Sequence, residues 1–260
     1  MADWYLIVED TPLPAAENMA RDEYFFNLCH ETKAGFFRIY YWELPTFSFG
    51  VSQKITKAIN PDYIKENGYE YVRRITGGKT VLHNDEITYA VVSSEEIFYR
   101  DNDLYQSYKL ISQVLVDSFN RIGVPAYLSK GSPPALSKTN NPCFSFPTPN
   151  EIEIDGKKIV GSAQKRDNKA LLQHGSIPIG MDDQLYADGA NSRPKIISRS
   201  MTTLTEASDK SKEDLVEALV VCFREFVNQP FKEFKFAEDD KKKIAEIAEK
   251  YKSDEWNYIL

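Results

Sequence analysis

Hydrophobic residues recur along the chain at two spacings, which predict a mixture of helices and strands. Between residues 103 and 122 the apolar positions fall three and four residues apart, as on one face of a helix. Runs such as residues 86–93 instead have the composition of strands. The pattern predicts helices at residues 15–30, 61–67, 103–122, 211–228 and 237–251, and strands at residues 36–41, 46–51, 69–74, 86–93, 125–128, 151–154, 157–160 and 170–177. This order indicates an α+β fold, with mixed and antiparallel sheets flanked by helices.

Asp155-Gly156 is a hairpin turn signal between two short alternating runs. Successive side chains of a strand point to opposite faces, so Lys157 and Lys158 are predicted to face in opposite directions. We expect residues 1–182 to form a catalytic core. Residues 183–260 are predicted to form a C-terminal helical part packed on the same domain.

Composition indicates a compact protein with a substantial core. The 260 residues are 42% hydrophobic and 13% aromatic, and the net charge of −7 gives no support for nucleic-acid binding. No apolar run approaches the about 20 residues that span a membrane. The N-terminal residues lack the features of a signal peptide, so we expect a cytoplasmic protein with no membrane association.

The three cysteines have no paired spacing, which argues against a disulfide scaffold. Cys29 and Cys222 lie in helical stretches with apolar neighbours and are predicted to be core residues. Cys143 lies in a loop-like stretch, where a thiol is accessible to a substrate. A zinc site that combines Cys143 with Cys29, His30 and His174 lacks the usual ligand spacing, and we predict no metal.

Residues 73–83 combine two arginines, adjacent glycines, a lysine and a histidine. Adjacent glycines let the backbone approach a ligand closely, and arginine presents a rigid fork of donors. A simple turn between two strands is the alternative interpretation. A nucleotide P-loop is excluded, because that motif requires glycine where Arg73 stands. The candidate substrate-binding residues here are Arg73, Arg74, Thr76, Gly77, Gly78, Lys79 and His83.

Taken with a second segment, these residues resemble the lipoate–biotin protein ligase and acyltransferase superfamily. The second segment comprises Gly156, Lys158, Ile159, residues 161–164 and residues 173–176. Residues 17–23, 49–53 and 253–257 also resemble family motifs, so the resemblance covers nearly the whole chain. Cys143-Phe144 ahead of the hairpin is similar to the octanoyltransferase branch that uses a cysteine nucleophile.

The resemblance implies transfer of an octanoyl group from octanoyl-acyl carrier protein to a lysine of a lipoyl domain or glycine-cleavage H protein. It implies that Cys143 carries the acyl group and that Lys158 is catalytic, as a general base or as a donor to the oxyanion. No ATP or other cofactor is needed, because a thioester is already activated. The further substrate-binding residues it implies are Gly161, Ser162, Ala163, His174 and Gly175.

Two alternatives remain open at this point. In an ATP-dependent lipoate–protein ligase, Lys158 would contact an acyl-adenylate and Cys143 would be incidental. Ligases usually have a third glycine where this chain has Lys79-Thr80, and often His-Asp where it has His83-Asn84, which favours the octanoyltransferase branch. A non-catalytic protein that binds lipoyl domains is the alternative from another functional class.

Overall fold

The computed structural model describes residues 2–99, 104–131 and 150–259. Its helices are α1 (Ala15–Thr32), α2 (Ile55–Ala58), α3 (Pro61–Glu66), α4 (Leu104–Arg121), α5 (Asp183–Gly189), α6 (Pro194–Ser200), α7 (Leu204–Ala207), α8 (Lys212–Val227), α9 (Glu238–Lys252) and α10 (Asp254–Asn257). Its strands are β1 (Trp4–Val8), β2 (Gly35–Tyr40), β3 (Thr46–Phe49), β4 (Glu70–Arg73), β5 (Val81–His83), β6 (Glu86–Ser93), β7 (Tyr127–Leu128), β8 (Ile152–Ile154), β9 (Lys157–Arg166), β10 (Leu171–Pro178) and β11 (Lys232–Glu233).

The described strands form two mixed sheets. The large sheet has the order β11-β1-β2-β6-β10-β9-β8-β7, and the small sheet has the order β4-β3-β5. In the large sheet β1 is parallel to both of its neighbours, β2 and β11. All other neighbouring strands of this sheet, in the order β2-β6-β10-β9-β8-β7, pair antiparallel. The predicted α+β fold with mixed and antiparallel sheets is confirmed.

The central strands of the large sheet are buried on both sides, because helices cover both of its faces. On β2, Phe36 packs in one core cluster with residues of α1 and α9, whereas Phe37 and Ile39 pack in another with residues of α4 and α8. The alternation follows the period of two along a strand. A third cluster, around Phe47 and Tyr186, joins the small sheet to α5 and α6. None of the described helices has both the length and the apolar character to cross a membrane.

The hairpin between β8 and β9 forms at the predicted turn. Asp155 and Gly156 both have positive φ, of 50° and 76°, which suits a tight two-residue hairpin turn. Register shifts between the pairs Ile152–Val160 and Glu153–Lys158, so β9 carries a bulge there. The Lys158 side chain is fully buried and Lys157 is partly exposed, as the opposite-face prediction requires.

Residues 183–260 pack at several places on the rest of the chain. Helix α8 packs against α4, and α9 packs against α1. Strand β11 pairs in parallel with β1 and forms one edge of the large sheet, so this part of the chain is not purely helical. The division between a core of residues 1–182 and a C-terminal part stays a prediction.

The longer predicted elements are confirmed with small shifts at their ends. The predicted strand at 46–51 ends at Phe49, because the chain turns at Gly50 and the Val51 amide donates to the Thr76 carbonyl. Several short elements were not predicted, since two to seven residues are too few to establish a period. The unpredicted elements are β1, β5, β11, α2, α5, α6, α7 and α10.

Candidate active site

A narrow cavity lies where the large and small sheets meet. The predicted site residues that line it are Arg74, His83, Gly161, Ser162, Ala163, His174 and Gly175. The lining residues that were not predicted are Met19, Tyr40, Trp42, Ser48, Val81, Thr88 and Ser176.

Gly175 on β10 lets its neighbours close around the cavity. A Cβ atom there would lie 2.7 Å from the Tyr89 ring, 2.8 Å from the Gly161 carbonyl oxygen and 2.9 Å from Ser162 Oγ. Ser162 Oγ and the Tyr89 hydroxyl are 2.7 Å apart and share a hydrogen bond. Glycine is therefore required here by close packing and not by a turn.

His174 is held between a carboxylate and a hydroxyl. Its Nδ1 lies 2.7 Å from Asp22 Oδ2 on α1, and its Nε2 lies 2.8 Å from Thr76 Oγ1. Burial lowers the pKa of His174, and the Arg74 charge acts in the same direction, so the opposing contact with Asp22 is outweighed. A neutral ring that donates from Nδ1 to Asp22 accepts the Thr76 hydroxyl hydrogen at Nε2.

Asp22 is itself anchored by a buried arginine. Arg38 Nη1 on β2 donates to Asp22 Oδ1 over 2.8 Å, and the Tyr40 hydroxyl donates to Asp22 Oδ2 over 2.9 Å. Burial alone would raise the pKa of Asp22, but the hydrogen bond from His174, the charge of Arg38 and the Tyr40 hydroxyl together hold it below its ordinary value. Asp22 therefore remains an anion that fixes the orientation of His174.

His83, like His174, is held between a carboxylate and a hydroxyl. Its Nδ1 lies 2.8 Å from Glu86 Oε1, and its Nε2 lies 2.6 Å from Ser48 Oγ. The ring also stacks on Trp42, with centroids 4.1 Å apart and planes at 22°. Glu86 accepts further hydrogen bonds from Thr88 and Ser176, so this one carboxylate fixes several cavity-lining groups.

Arg74 connects the hydrogen-bond networks of His174 and His83. Its Nη1 donates to Ser48 Oγ over 2.6 Å, and its Nε donates to Thr76 Oγ1 over 3.3 Å. Its Nη2 donates to the carbonyl oxygens of Gly77 and Lys79, each over 3.0 Å. Each hydroxyl thus accepts from Arg74 and can donate to a histidine. Arg74 holds the glycine segment in place as a rigid part of the cavity wall.

The lowered pKa of His174 predicts a dependence of stability on pH. In the unfolded chain histidine binds a proton near pH 6.5, whereas folded His174 binds it only at lower pH. At pH values below about 6.5 the unfolded state carries more protons than the folded state. The free energy of unfolding therefore falls as pH falls, by up to about 1.4 kcal/mol per pH unit. Urea denaturation from pH 7.5 to 5 should show a shallower pH slope for His174→Gln than for the wild type.

His30→Gln is the matched control for that slope, because His30 lies on the surface side of α1 with a quarter of its side chain exposed. It gives the effect of removing a histidine that is partly exposed and that contacts Asp167 over 3.1 Å. An identical slope in His174→Gln and in the wild type would show that His174 does not contribute to the pH dependence.

Gly50 packs against the glycine segment so closely that alanine should not fit. A Cβ atom on Gly50 would lie 2.2 Å from the Gly78 carbonyl oxygen, whereas one on Gly77 would meet nothing within 4 Å. We expect Gly50→Ala to lower the free energy of unfolding by about 1–3 kcal/mol through overpacking. Gly77→Ala should change it by less than about 0.5 kcal/mol. Equal effects of the two substitutions in urea denaturation would contradict this packing.

Arg73 makes its hydrogen bonds away from the cavity lining. Its Nη1 donates to the Val51 and Gln53 carbonyls, each over 2.8 Å, and its Nη2 donates to the Asn257 carbonyl over 2.8 Å. Its Nε donates to the Trp256 carbonyl over 3.0 Å. The guanidinium thus faces protein backbone and ties residues 256–257 to the small sheet, and substrate binding by Arg73 stays a prediction.

The remaining predicted residues lie around the cavity or outside the described residues. Thr76, Gly77, Gly78 and Lys79 form the segment that Arg74 holds. Lys158 is not among the described residues that line the cavity; it lies earlier on β9 than Gly161, and its Nζ is 2.6 Å from Glu151 Oε1. The predicted nucleophile Cys143 lies outside the described residues.

Asp22 and Glu86 are site residues that sequence reasoning did not select. Asn18 and Asp22 are four residues apart on α1 and both are buried among apolar neighbours. Polar residues on the apolar face of a helix usually have buried partners, which was the available signal. Glu86 and Thr88 alternate on the fully buried strand β6, which is a similar signal.

The fold and this site define a class of protein: an α+β protein with a histidine-lined and arginine-braced cavity between two mixed sheets. The model of the lipoyl protein ligase A/B catalytic domain family matches residues 14–224. The chain belongs to this family.

Curated relatives match almost the full chain. Octanoyltransferase LipM of Bacillus cereus is 36% identical over 94% of this chain and 94% of its own length. Octanoyltransferase LipM of Staphylococcus aureus is 33% identical over 93% of each. A crystal structure of lipoate-protein ligase A bound with ATP is similar with a TM-score of 0.83 and 24% identity, covering 100% of both chains. The structural similarity establishes the fold.

Proposed function

We propose that this protein is an octanoyltransferase that moves an octanoyl group from octanoyl-acyl carrier protein, through a thioester on Cys143, to a lysine of a lipoyl domain or glycine-cleavage H protein. The near-full-length similarity to octanoyltransferases of Bacillus cereus and Staphylococcus aureus carries this proposal. A cavity with a largely apolar lining supports it, because an acyl chain is itself apolar.

The reaction divides into two half-reactions. In the first, the Cys143 thiolate attacks the donor thioester carbon, and the donor leaves as a thiol. In the second, the acceptor amine attacks the enzyme thioester and an amide forms as Cys143 is released. The intermediate keeps the acyl group activated while one partner protein leaves and the other binds.

The described cysteines support Cys143 as the nucleophile. Cys29 is completely buried, and burial raises the pKa of its thiol to about 11. Cys222 is also buried, in the core that contains residues of α4 and α8. Neither thiol is placed to meet an acyl donor, which leaves Cys143 from the three cysteines of the sequence.

Lys158 is the proposed catalytic cation. A positive charge near a thiol favours the thiolate, and an ammonium group stabilises the oxyanion of a tetrahedral intermediate. The Lys158 side chain is fully buried, where an electrostatic interaction is stronger than in water.

The proposal is tested by incubating the purified chain with octanoyl-acyl carrier protein and an unmodified lipoyl domain without ATP. We expect the intact mass of the lipoyl domain to increase by one octanoyl group. Modification that requires ATP and free acid would instead identify an ATP-dependent ligase. Binding of the lipoyl domain without modification under either condition would identify a non-catalytic binding protein.

A further inference from the structure

We propose that Glu151 is a positioning residue that keeps Lys158 protonated, so that Lys158 acts as a cation and not as a general base. Glu151 Oε1 lies 2.6 Å from Lys158 Nζ. The Lys158 side chain is 0% exposed and that of Glu151 is 8% exposed. This inference rests on the catalytic role of Lys158 in the proposed function, and it selects between two roles for that residue.

The backbone holds both members of the pair. The Glu151 carbonyl accepts from the Ser129 amide over 2.7 Å, and the Lys158 carbonyl accepts from the Thr202 amide over 2.9 Å. Glu151 immediately precedes β8, and Lys158 lies on β9 of the same hairpin. The contact therefore joins two anchored positions, which lowers the entropic cost of keeping a lysine side chain in one conformation.

Two physical effects on Lys158 oppose each other. Burial disfavours the ammonium form of a lysine, whereas a carboxylate at contact distance favours it. Around this pair, Glu153 is opposite Lys158 in the strand register, Lys157 is its neighbour on β9, and Glu206 accepts from Thr202. Because Glu151 contacts the ammonium directly, its removal would shift the balance toward the neutral form of Lys158.

A cationic Lys158 keeps its proton through both half-reactions. In the first, the enzyme thiolate forms a bond to the thioester carbon, the bond from carbon to the donor sulfur breaks, and the donor takes up the proton released by the enzyme thiol. In the second, the neutral acceptor amine forms the bond from carbon to nitrogen, and its excess proton passes to the departing enzyme thiolate. Lys158 stabilises the thiolate and each oxyanion by charge.

The test compares Glu151→Gln with Glu153→Gln. Glu153 is a suitable control, because it is a buried glutamate of the same hairpin that lies opposite Lys158 in the register. Single-turnover rates of enzyme acylation by octanoyl-acyl carrier protein are measured from pH 6 to 10. Transfer from the isolated acyl-enzyme to the lipoyl domain is measured separately.

We expect Glu151→Gln to slow acylation by ~10-fold or more and to move the alkaline decline of the rate to lower pH, since Lys158 then loses its proton more readily. Glu153→Gln should move the alkaline decline less than Glu151→Gln does, because Glu151 makes the direct contact with the ammonium. Glu151→Asp, which retains the charge, should restore the position of the decline; it also serves if Glu151→Gln does not fold.

Two results would overturn the inference. A slower Glu151→Gln enzyme with an unmoved alkaline decline would show that Glu151 only supports the fold. Faster transfer to the lipoyl domain in Glu151→Gln would show that neutral Lys158 is the active form and acts as a base. Failure of the proposed function is a separate result, because then the wild-type enzyme would not become acylated.

Discussion

Cys143→Ala should abolish octanoyl transfer, with a loss of at least ~10³-fold, because removal of a covalent nucleophile eliminates the intermediate. Cys29→Ser and Cys222→Ser should retain transfer. Both of these thiols are buried, and the raised pKa of Cys29 keeps it in the unreactive thiol form. The contrast among the three cysteines identifies the acyl-carrying residue.

Intact-mass measurement after incubation with octanoyl-acyl carrier protein, without an acceptor, tests this prediction. The wild type and the two serine variants should each gain one octanoyl group, and Cys143→Ala should gain none. Peptide mapping should place the group on Cys143. Turnover at the wild-type rate by Cys143→Ala would refute the acyl-enzyme mechanism.

Lys158→Ala should slow both half-reactions by at least ~10²-fold, equivalent to about 3 kcal/mol of transition-state stabilisation. The reason is that one charge stabilises the thiolate and the oxyanion in both steps. Lys157→Ala should be mild, since Lys157 lies on the opposite face of β9 and is partly exposed. Acylation and transfer are to be measured separately in both variants.

A loss of folding must be separated from a loss of catalysis in this experiment. Removing Lys158 leaves Glu151 buried without the contact that they share, and breaking a buried pair costs about 3–5 kcal/mol of stability. The double variant Lys158→Ala/Glu151→Gln also removes the carboxylate and should recover stability without recovering activity. Near-wild-type rates for Lys158→Ala in both steps would refute its assignment.

The longer elements could be predicted because their hydrophobic periods extend over many residues. The period of α4 was readable over five turns, and the turn at Asp155-Gly156 depends on two adjacent residues. The strand β11 could not be predicted, because its two residues pair with β1 from the opposite end of the chain. Pairing over such a separation leaves no local pattern in the sequence.

The candidate site was predicted in part. Arg74, His83 and His174 belong to short motifs in the sequence and line the cavity, and their binding of substrate stays a prediction. Arg73 has the same side chain as its neighbour Arg74. Successive side chains of a strand point to opposite faces, so the Arg73 guanidinium faces backbone carbonyls instead of the cavity. Residue type therefore indicated which side chains could bind a ligand, and the local backbone decided which of them face the cavity.

The sequence by itself determined the family, the α+β order of elements, the hairpin and the identity of the chemical groups, since these depend on local periods and on motifs of neighbouring residues. Only the tertiary structure decided that Asp22 orients His174 and that Glu86 also reaches Ser176. The contact between Asp22 and His174 spans 152 residues, and that between Glu86 and Ser176 spans 90. Such pairs form because buried charges and polar groups require partners, and the partners are set by how the sheets and helices pack.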